Sequence, residues 1–288
     1  MLPFRRILFP VDYSEPCLAV VPYAKDMLRQ FSGELTVVHA YGPGAALALA
    51  QSAFDLTDPN LLEEVRAAEE RRLQDFAREN FEGQSVQSIS EIGEPGSVVC
   101  KAAQQQAADL IMLATHGHGP VRRFLLGSVT AKVLHDASTA VWTGIGSALT
   151  EHAPAIPYRS IVCALDDSGE AEGVLKAAAA LARAYQAELF LLHAVEVPVS
   201  PKIDFAPYKQ DLIDAANGRL RDIKANLGVD APHAVIDGPV AEAVRHEVVR
   251  RKADLVVTGR GHSQGGLSRI WSHLYPIVRE APCPVLSI

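Results

Sequence analysis

The chain contains itself twice. Ile7-Leu8-Phe9-Pro10-Val11-Asp12-Tyr13-Ser14 is echoed by Ile161-Val162-Cys163-Ala164-Leu165-Asp166-Asp167-Ser168, with Asp and Ser recurring in register. Leu35-Thr36-Val37-Val38-His39-Ala40 is answered at the same offset by Leu189-Phe190-Leu191-Leu192-His193-Ala194. Ala108-Asp109-Leu110-Ile111-Met112-Leu113 matches Ala253-Asp254-Leu255-Val256-Val257-Thr258 at a smaller offset, so the second copy has lost residues in between, where loops tolerate deletion best. Self-similarity at this period means one domain built twice, and 288 residues at roughly 150 per domain leave room for two. The expected boundaries are 1–147 and 156–288. The stretch from Gly144 to Pro157, with Gly146 and Pro154 and little apolar periodicity, reads as the linker.

Each copy alternates short apolar runs with helical stretches, the pattern of a parallel sheet covered on both faces and hence of an α/β fold. Strands are predicted over Ile7–Val11, Leu35–Ala40, Val86–Ile92, Leu110–Ala114 and Ala140–Thr143 in the first copy. Ser14 is placed to cap the first helix, with Pro16 tolerated in the first turn where no intrahelical donor is needed. Glu63–Phe81 is the longest predicted helix, with Leu73 and Phe76 on one side and charges on the other. In the second copy helices are expected over Glu170–Tyr185, Lys209–Asn226, Val240–Lys252 and a short stretch before Cys283, with Pro276 interrupting the last.

Charge and cysteine usage exclude several functions. Twenty-seven basic against 34 acidic residues, a net of −7, give no general attraction to nucleic acid or anionic membrane, so any bound phosphate must be held locally. Cys17, Cys100, Cys163 and Cys283 lie far apart with no Cys-x-x-Cys pair, which favours buried thiols over a disulfide framework or a cysteine zinc site. The apolar run after Met1-Leu2-Pro3-Phe4-Arg5-Arg6 meets Asp12 too soon for a signal-peptide core or a membrane span, and a soluble cytoplasmic chain is expected.

Open parallel sheets bind ligands beyond the carboxyl ends of their strands, where the strand order reverses. The loops after strands one and four are therefore the ones to read. Strand one ends on Asp12. Strand four leads into Ala114-Thr115-His116-Gly117-His118-Gly119, and then Gly127-Ser128-Val129-Thr130 opens a helix. Glycines let the backbone approach an anion, and a helix start with free N–H groups and a hydroxyl is a ready phosphate site.

Pro10-Val11-Asp12-Tyr13-Ser14, together with Ala114, Gly117 after two intervening residues and Gly127-Ser128 after nine more, resembles the motif of the ATP-binding universal stress proteins. The resemblance covers both halves and implies a tandem member: two Rossmann-like domains, each an open five-stranded sheet of order 3-2-1-4-5. It departs from the motif in carrying Ala114 where the first glycine is expected, a methyl group that lowers affinity without abolishing binding. By resemblance, Pro10, Asp12, Ala40, Ala114, Gly117, Gly127, Ser128, Val129 and Thr130 form the nucleotide site, with Asp12 on the ribose hydroxyls, the backbone at Ala40 on the adenine edge and the glycine loop on the phosphates. The ligand implied is ATP, with AMP or ADP as adenine alternatives and magnesium accompanying ATP. A carboxylate accepts from vicinal hydroxyls and would repel phosphate, which agrees with that orientation.

Other readings compete. Asp12 also suits a turn or a helix cap, Gly117, Gly127 and Ser128 suit plain turn chemistry, and Arg122-Arg123 suit a solvated loop as well as a terminal phosphate. His116-x-His118 is a metal pair without a third ligand, and no metal site is expected. His39 and His193 recur at equivalent strand ends and read as hydrogen-bonded structural histidines. Ser128 lacks a Gly-x-Ser-x-Gly elbow, and no catalytic residue is assigned. In the second copy Asp166 survives, but His262 replaces the second motif glycine and Trp271 or Ser272 the third, so weak or no ATP binding is expected there. The leading function is a nucleotide-binding stress or signalling module with at most slow hydrolysis. The alternatives are a true ATPase or phosphotransferase and a paired scaffold for another small ligand. The fifth strands, Ala140–Thr143 and Pro284–Ile288, would leave apolar edges in isolated domains. Members with a single domain dimerise over that edge, which implies an intramolecular pseudo-dimer here and leaves a further homodimer open.

Overall fold

Strand β1 (Arg6–Pro10) buries its three central residues, Ile7, Leu8 and Phe9. An unbroken apolar run is stable there because helices cover both faces of a parallel sheet and no position faces water. The computed structural model describes residues 4–42, 61–117, 126–144, 155–167, 169–196, 206–260 and 273–288. The chain divides into two units, residues 3–146 and 147–288.

In the first unit β1 is followed by α1 (Glu15–Phe31), β2 (Glu34–Tyr41), α2 (Leu61–Asn80), β3 (Val86–Ile92), α3 (Pro95–Gln105), β4 (Leu110–Leu113), α4 (Ser128–Asp136) and β5 (Ala140–Thr143). The strands lie in the order β3-β2-β1-β4-β5, all parallel, with Ile7 opposite Leu35 on one side and Leu110 on the other. All four residues of β4 are buried, as expected for a strand covered on both faces. The second unit runs β6 (Ser160–Leu165), α5 (Ala171–Tyr185), β7 (Glu188–Val195), a short 3-10 turn (Ala206–Tyr208), α6 (Lys209–Leu227), β8 (His233–Asp237), α7 (Val240–Arg251), β9 (Leu255–Thr258), α8 (Tyr275–Glu280) and β10 (Val285–Ser287). Its order, β10-β9-β6-β7-β8, is again parallel and repeats the first unit's plan.

The repeated aspartate has a structural cause. Asp109 Oδ2 accepts from the backbone N–H groups of Arg5 (3.1 Å) and Arg6 (3.0 Å), and Asp254 Oδ2 accepts from those of Arg159 (2.8 Å) and Ser160 (3.0 Å). Each carboxylate thus ties the entry of its unit's first strand to the entry of the fourth. Burial alone would raise the pKa of Asp109, but the Arg6 guanidinium and the two backbone donors outweigh it and hold the carboxyl below its usual range. Asp254 also accepts from Ala155 N–H at 2.7 Å. The stretch read as a linker is therefore anchored before its end, and Tyr158 is already core at 1% exposure. Residues 145–154 of that stretch lie outside the described residues.

Ser14 caps α1, its side chain accepting from Cys17 N–H at 3.2 Å. Pro276 stands in the first turn of α8, which begins at Tyr275 directly after a π-helical turn at His273–Leu274. Cys17, Cys163 and Cys283 are buried free thiols, and Cys100 is half-buried. No helix among the described residues is long and apolar enough to cross a membrane.

Candidate functional site

The order β2-β1-β4 places the reversal of chain direction across the sheet between β1 and β4, and the loops leaving their carboxyl ends part there. Pro10, Asp12, Ala40, Ala114, Gly117, Gly127, Ser128, Val129 and Thr130 all line one cavity of about 280 Å3 at that point. The nine positions come from four separate segments, so the fold has to bring them together. His118, Arg122 and Arg123 lie outside the described residues.

Asp12 serves the turn and faces the cavity at once. Its Oδ1 accepts from the N–H (2.9 Å) and the hydroxyl (2.6 Å) of Ser14, which is the turn role weighed from sequence. Its Oδ2 lies so near Gly117 that a β-carbon built there would meet it at 2.3 Å. Tyr13, next in the chain, adopts the left-handed region with φ at 61°, a conformation unfavourable for a non-glycine residue. Its ring offsets that cost by packing under the Arg72 guanidinium (3.9 Å from the centroid) and beside His39 (4.8 Å). Burial pushes the Tyr13 phenol up to about 12 against the lowering influence of Arg72.

The opposite wall is the start of α4. Gly127 is its N-cap with φ at −61°, an ordinary conformation, so the glycine is not there for backbone freedom. It is there for close approach: Gly127 N–H donates to Thr115 O at 2.8 Å, and a β-carbon on Gly127 would sit 3.2 Å from that same oxygen. Ser128 is exposed at the first helical position and has no capping bond. Thr130 is buried and donates its hydroxyl to Ala114 O at 2.8 Å, which fixes the helix against the loop after β4. The N–H groups of this first turn have no intrahelical acceptors, and Ser128, Val129 and Thr130 line the cavity.

Sequence reading concentrated on strands one and four and missed a third contributor. Pro95 and Val99 of α3 also line the cavity. They are held by Glu94, whose carboxylate caps α3 through Gly96 N–H (3.0 Å) and Ser97 N–H (2.8 Å). Burial would raise the Glu94 pKa, yet these bonds and nearby Lys132 lower it. The signal was legible as an acidic residue followed by proline and glycine at a strand end. Cys17 lines the cavity too, and burial pushes its thiol up to about 12.

His39 Nδ1 is 2.7 Å from Val11 O, and His193 Nδ1 is 2.9 Å from Leu165 O. The recurring histidines thus close equivalent strand ends by equivalent hydrogen bonds. The second unit has its own cavity of about 730 Å3 at the corresponding strand ends, bordered by Asp166, Asp167, His193 and Gly259. His262, Trp271 and Ser272 lie outside the described residues. A further depression of about 810 Å3 is bordered by Ser160 and Glu188, the first residues of β6 and β7. It opens at the amino ends of the strands, away from where such sheets bind ligands.

Against known proteins, the model of the universal stress protein family matches residues 3–143 and again 157–288. The chain belongs to the universal stress protein family. A universal stress protein of Thermus aquaticus is 33% identical over 137 residues, 46% of this chain and 98% of the relative. One from Methanocaldococcus jannaschii is 26% identical over 139 residues, 48% of this chain and 80% of the relative. Among solved structures, a universal stress protein from Archaeoglobus fulgidus superposes with a TM-score of 0.70 at 20% identity, covering 100% of this chain and 97% of that one. One described as a putative universal stress protein from Pseudomonas aeruginosa gives 0.68 at 16%, covering 99% and 93%. At these identities the two structures speak for the fold, and the double match makes this a tandem universal stress protein.

Proposed function

We propose that this tandem universal stress protein binds one adenine nucleotide, in its first unit, and acts as a cytoplasmic stress or signalling module whose occupancy changes its shape or partners. The observation that carries the reading is the two-ended chemistry of one cavity: the Asp12 carboxylate at one wall and the uncapped start of α4 at the other. A carboxylate suits ribose hydroxyls, and a helix N-terminus suits phosphate. Ala40 and Val38 at the end of β2 offer backbone and an apolar flank to a base. ATP, AMP and ADP share these contacts, and magnesium would enter with ATP. Hydrolysis is slow in this reading, because Asp12 is the one acid among the described lining residues and is committed to the ribose.

Calorimetric titration of the full chain with ATP, ADP and AMP tests this, alongside mass spectrometry of ligand carried through purification and a timed ATPase assay. One site per chain is expected. Two equivalent sites, or none, would defeat the reading. The same proposal takes the two repeats to be a pseudo-dimer covering their fifth strands, with no nucleic-acid or membrane partner. Halves separated at Ala148 should then self-associate or lose solubility, and two well-behaved monomers would refute the pairing.

A further inference from the structure

Helix α2 buries a carboxylate. Val65, Glu69 and Leu73 recur every fourth residue along its inner stripe, at 1%, 3% and 0% exposure. Taking a charged group out of water costs free energy unless it is paired, and Glu69 Oε2 accepts no hydrogen bond among the described residues. What it faces is Nε2 of His39, 3.6 Å away. The fold does not need a carboxylate at such a place. Aligning α6 with α2 on the buried residues Leu220 and Leu73 puts Ala216, 1% exposed, where Glu69 stands.

The other face of the imidazole leads to the candidate site. A carbonyl can only accept, so His39 Nδ1, 2.7 Å from Val11 O, carries a hydrogen and donates it. Val11 is the residue before Asp12, and β2 holds both of its backbone groups: its N–H donates to Val38 O at 2.8 Å, and its carbonyl accepts from His39. A carbonyl on one ring nitrogen and a carboxylate beyond the other together select the tautomer and the plane of the ring.

The second unit assembles the same pair from a different residue. His193 Nδ1 lies 2.9 Å from Leu165 O, one residue before Asp166, and His193 Nε2 lies 3.7 Å from Oδ1 of Asp167. Asp167 is a loop residue at the repeat position of Tyr13. Arg219, which the same alignment sets against Arg72, holds it through two bonds of 2.9 Å. The carboxylate comes from the helix in one unit and from the loop in the other, yet each time it faces the histidine that closes the strand end before the aspartate.

We propose that Glu69 is a positioning residue for nucleotide binding: by facing Nε2 it keeps the Nδ1–H of His39 on the Val11 carbonyl, and so holds Asp12 where the ribose is received. The inference rests on the nucleotide reading of the first unit.

The test uses the full chain, calorimetric titration with adenosine and ATP, and the long-range proton–nitrogen spectrum of the histidine rings, in which the His39 signals are those lost in His39→Asn. Glu69→Leu makes the inner stripe of α2 wholly apolar, so the thermal midpoint should hold or rise. Adenosine and ATP should nevertheless both weaken about fivefold, the effect of one lost ordering hydrogen bond, and the His39 signals should shift to a mixture of tautomers. Glu69→Gln, whose amide donates to Nε2, should keep the Nδ1–H form and bind both ligands within about twofold of the unsubstituted chain. If Glu69→Leu lowers the midpoint, Glu69→Ala replaces it, alanine being what α6 carries there. A glutamate serving the fold alone would lower the midpoint when removed and leave affinity untouched. The proposal is overturned if the apolar variant binds as well as the unsubstituted chain, if Glu69→Gln loses as much affinity as the apolar variant, if ATP weakens without adenosine, or if the His39 signals do not change. An unsubstituted chain that binds neither ligand defeats the nucleotide reading, and this proposal with it; normal binding that Glu69→Leu leaves intact defeats this proposal alone.

Discussion

A β-carbon built on Gly117 lies 2.3 Å from Oδ2 of Asp12, so this position in the loop after β4 must be glycine for the carboxylate after β1 to hold its place. Gly117→Ala forces Asp12 aside, breaking its bonds to Ser14 or turning Oδ2 out of the cavity. Titration should show adenine nucleotide affinity falling about tenfold, the loss of one charge-assisted hydrogen-bonding group. The thermal midpoint should move little, because Asp12 is exposed. Unchanged affinity would remove Asp12 from the binding site.

Asp12→Ala separates the ribose end of the site from the phosphate end. Adenosine, AMP and ATP should all weaken by a similar amount, about 1 to 2 kcal/mol. A loss confined to ATP would put the carboxylate near the phosphates and reverse the proposed orientation.

Gly127→Val acts through crowding of backbone. Its side chain would press on Thr115 O and His116 Cα, which stand 3.2 and 3.3 Å from the position of a β-carbon. The start of α4 must then move away from the loop after β4. ATP binding should be lost while adenosine, which has no phosphate, weakens less than about threefold. Parallel titrations with the two ligands read this directly.

The two strand-pinning aspartates differ in burial, and their removal should differ in cost. Asp254 is 2% exposed and accepts three backbone N–H groups, so Asp254→Ala should destabilise by about 3 kcal/mol or more, leaving buried donors unpaired. Asp109→Ala should cost less, since the Asp109 side chain is 24% exposed and water can replace it. Chemical denaturation of the two variants measures the order, and the reverse order would contradict the burial argument.

Asp109 also predicts an acid dependence. Its folded pKa is depressed, so its stabilisation is complete above the unfolded value of about 3.9 and declines as pH falls through the folded value. Between pH 6 and pH 3, Asp109→Asn should lose less stability than the unsubstituted chain. Parallel curves in denaturant across that range would show that the carboxylate is not linked to folding.

The repeat, the α/β class and most strand positions were legible because they rest on local patterns: apolar runs of strand length, and Asp-x-Ser at a helix start. Val86–Ile92 and Ala140–Thr143 are strands as read. The glycine spacing that brought Gly117, Gly127 and Ser128 forward was equally local. What the sequence could not display is which distant segments meet. The chain leaves β3 at one end of the sheet and returns to β4 beyond β1, so the intervening α3 crosses β2 and β1 and delivers Pro95 and Val99 to the cavity. Nothing within ten residues of Pro95 reports that crossing. The repeated Asp109 and Asp254 were visible as a pattern, but only the tertiary structure shows that they accept from strands about a hundred residues earlier. Periodicity is set by each residue's nearest neighbours, whereas a site at a topological switch is set by the order in which strands add to the sheet. That order is a property of the whole fold.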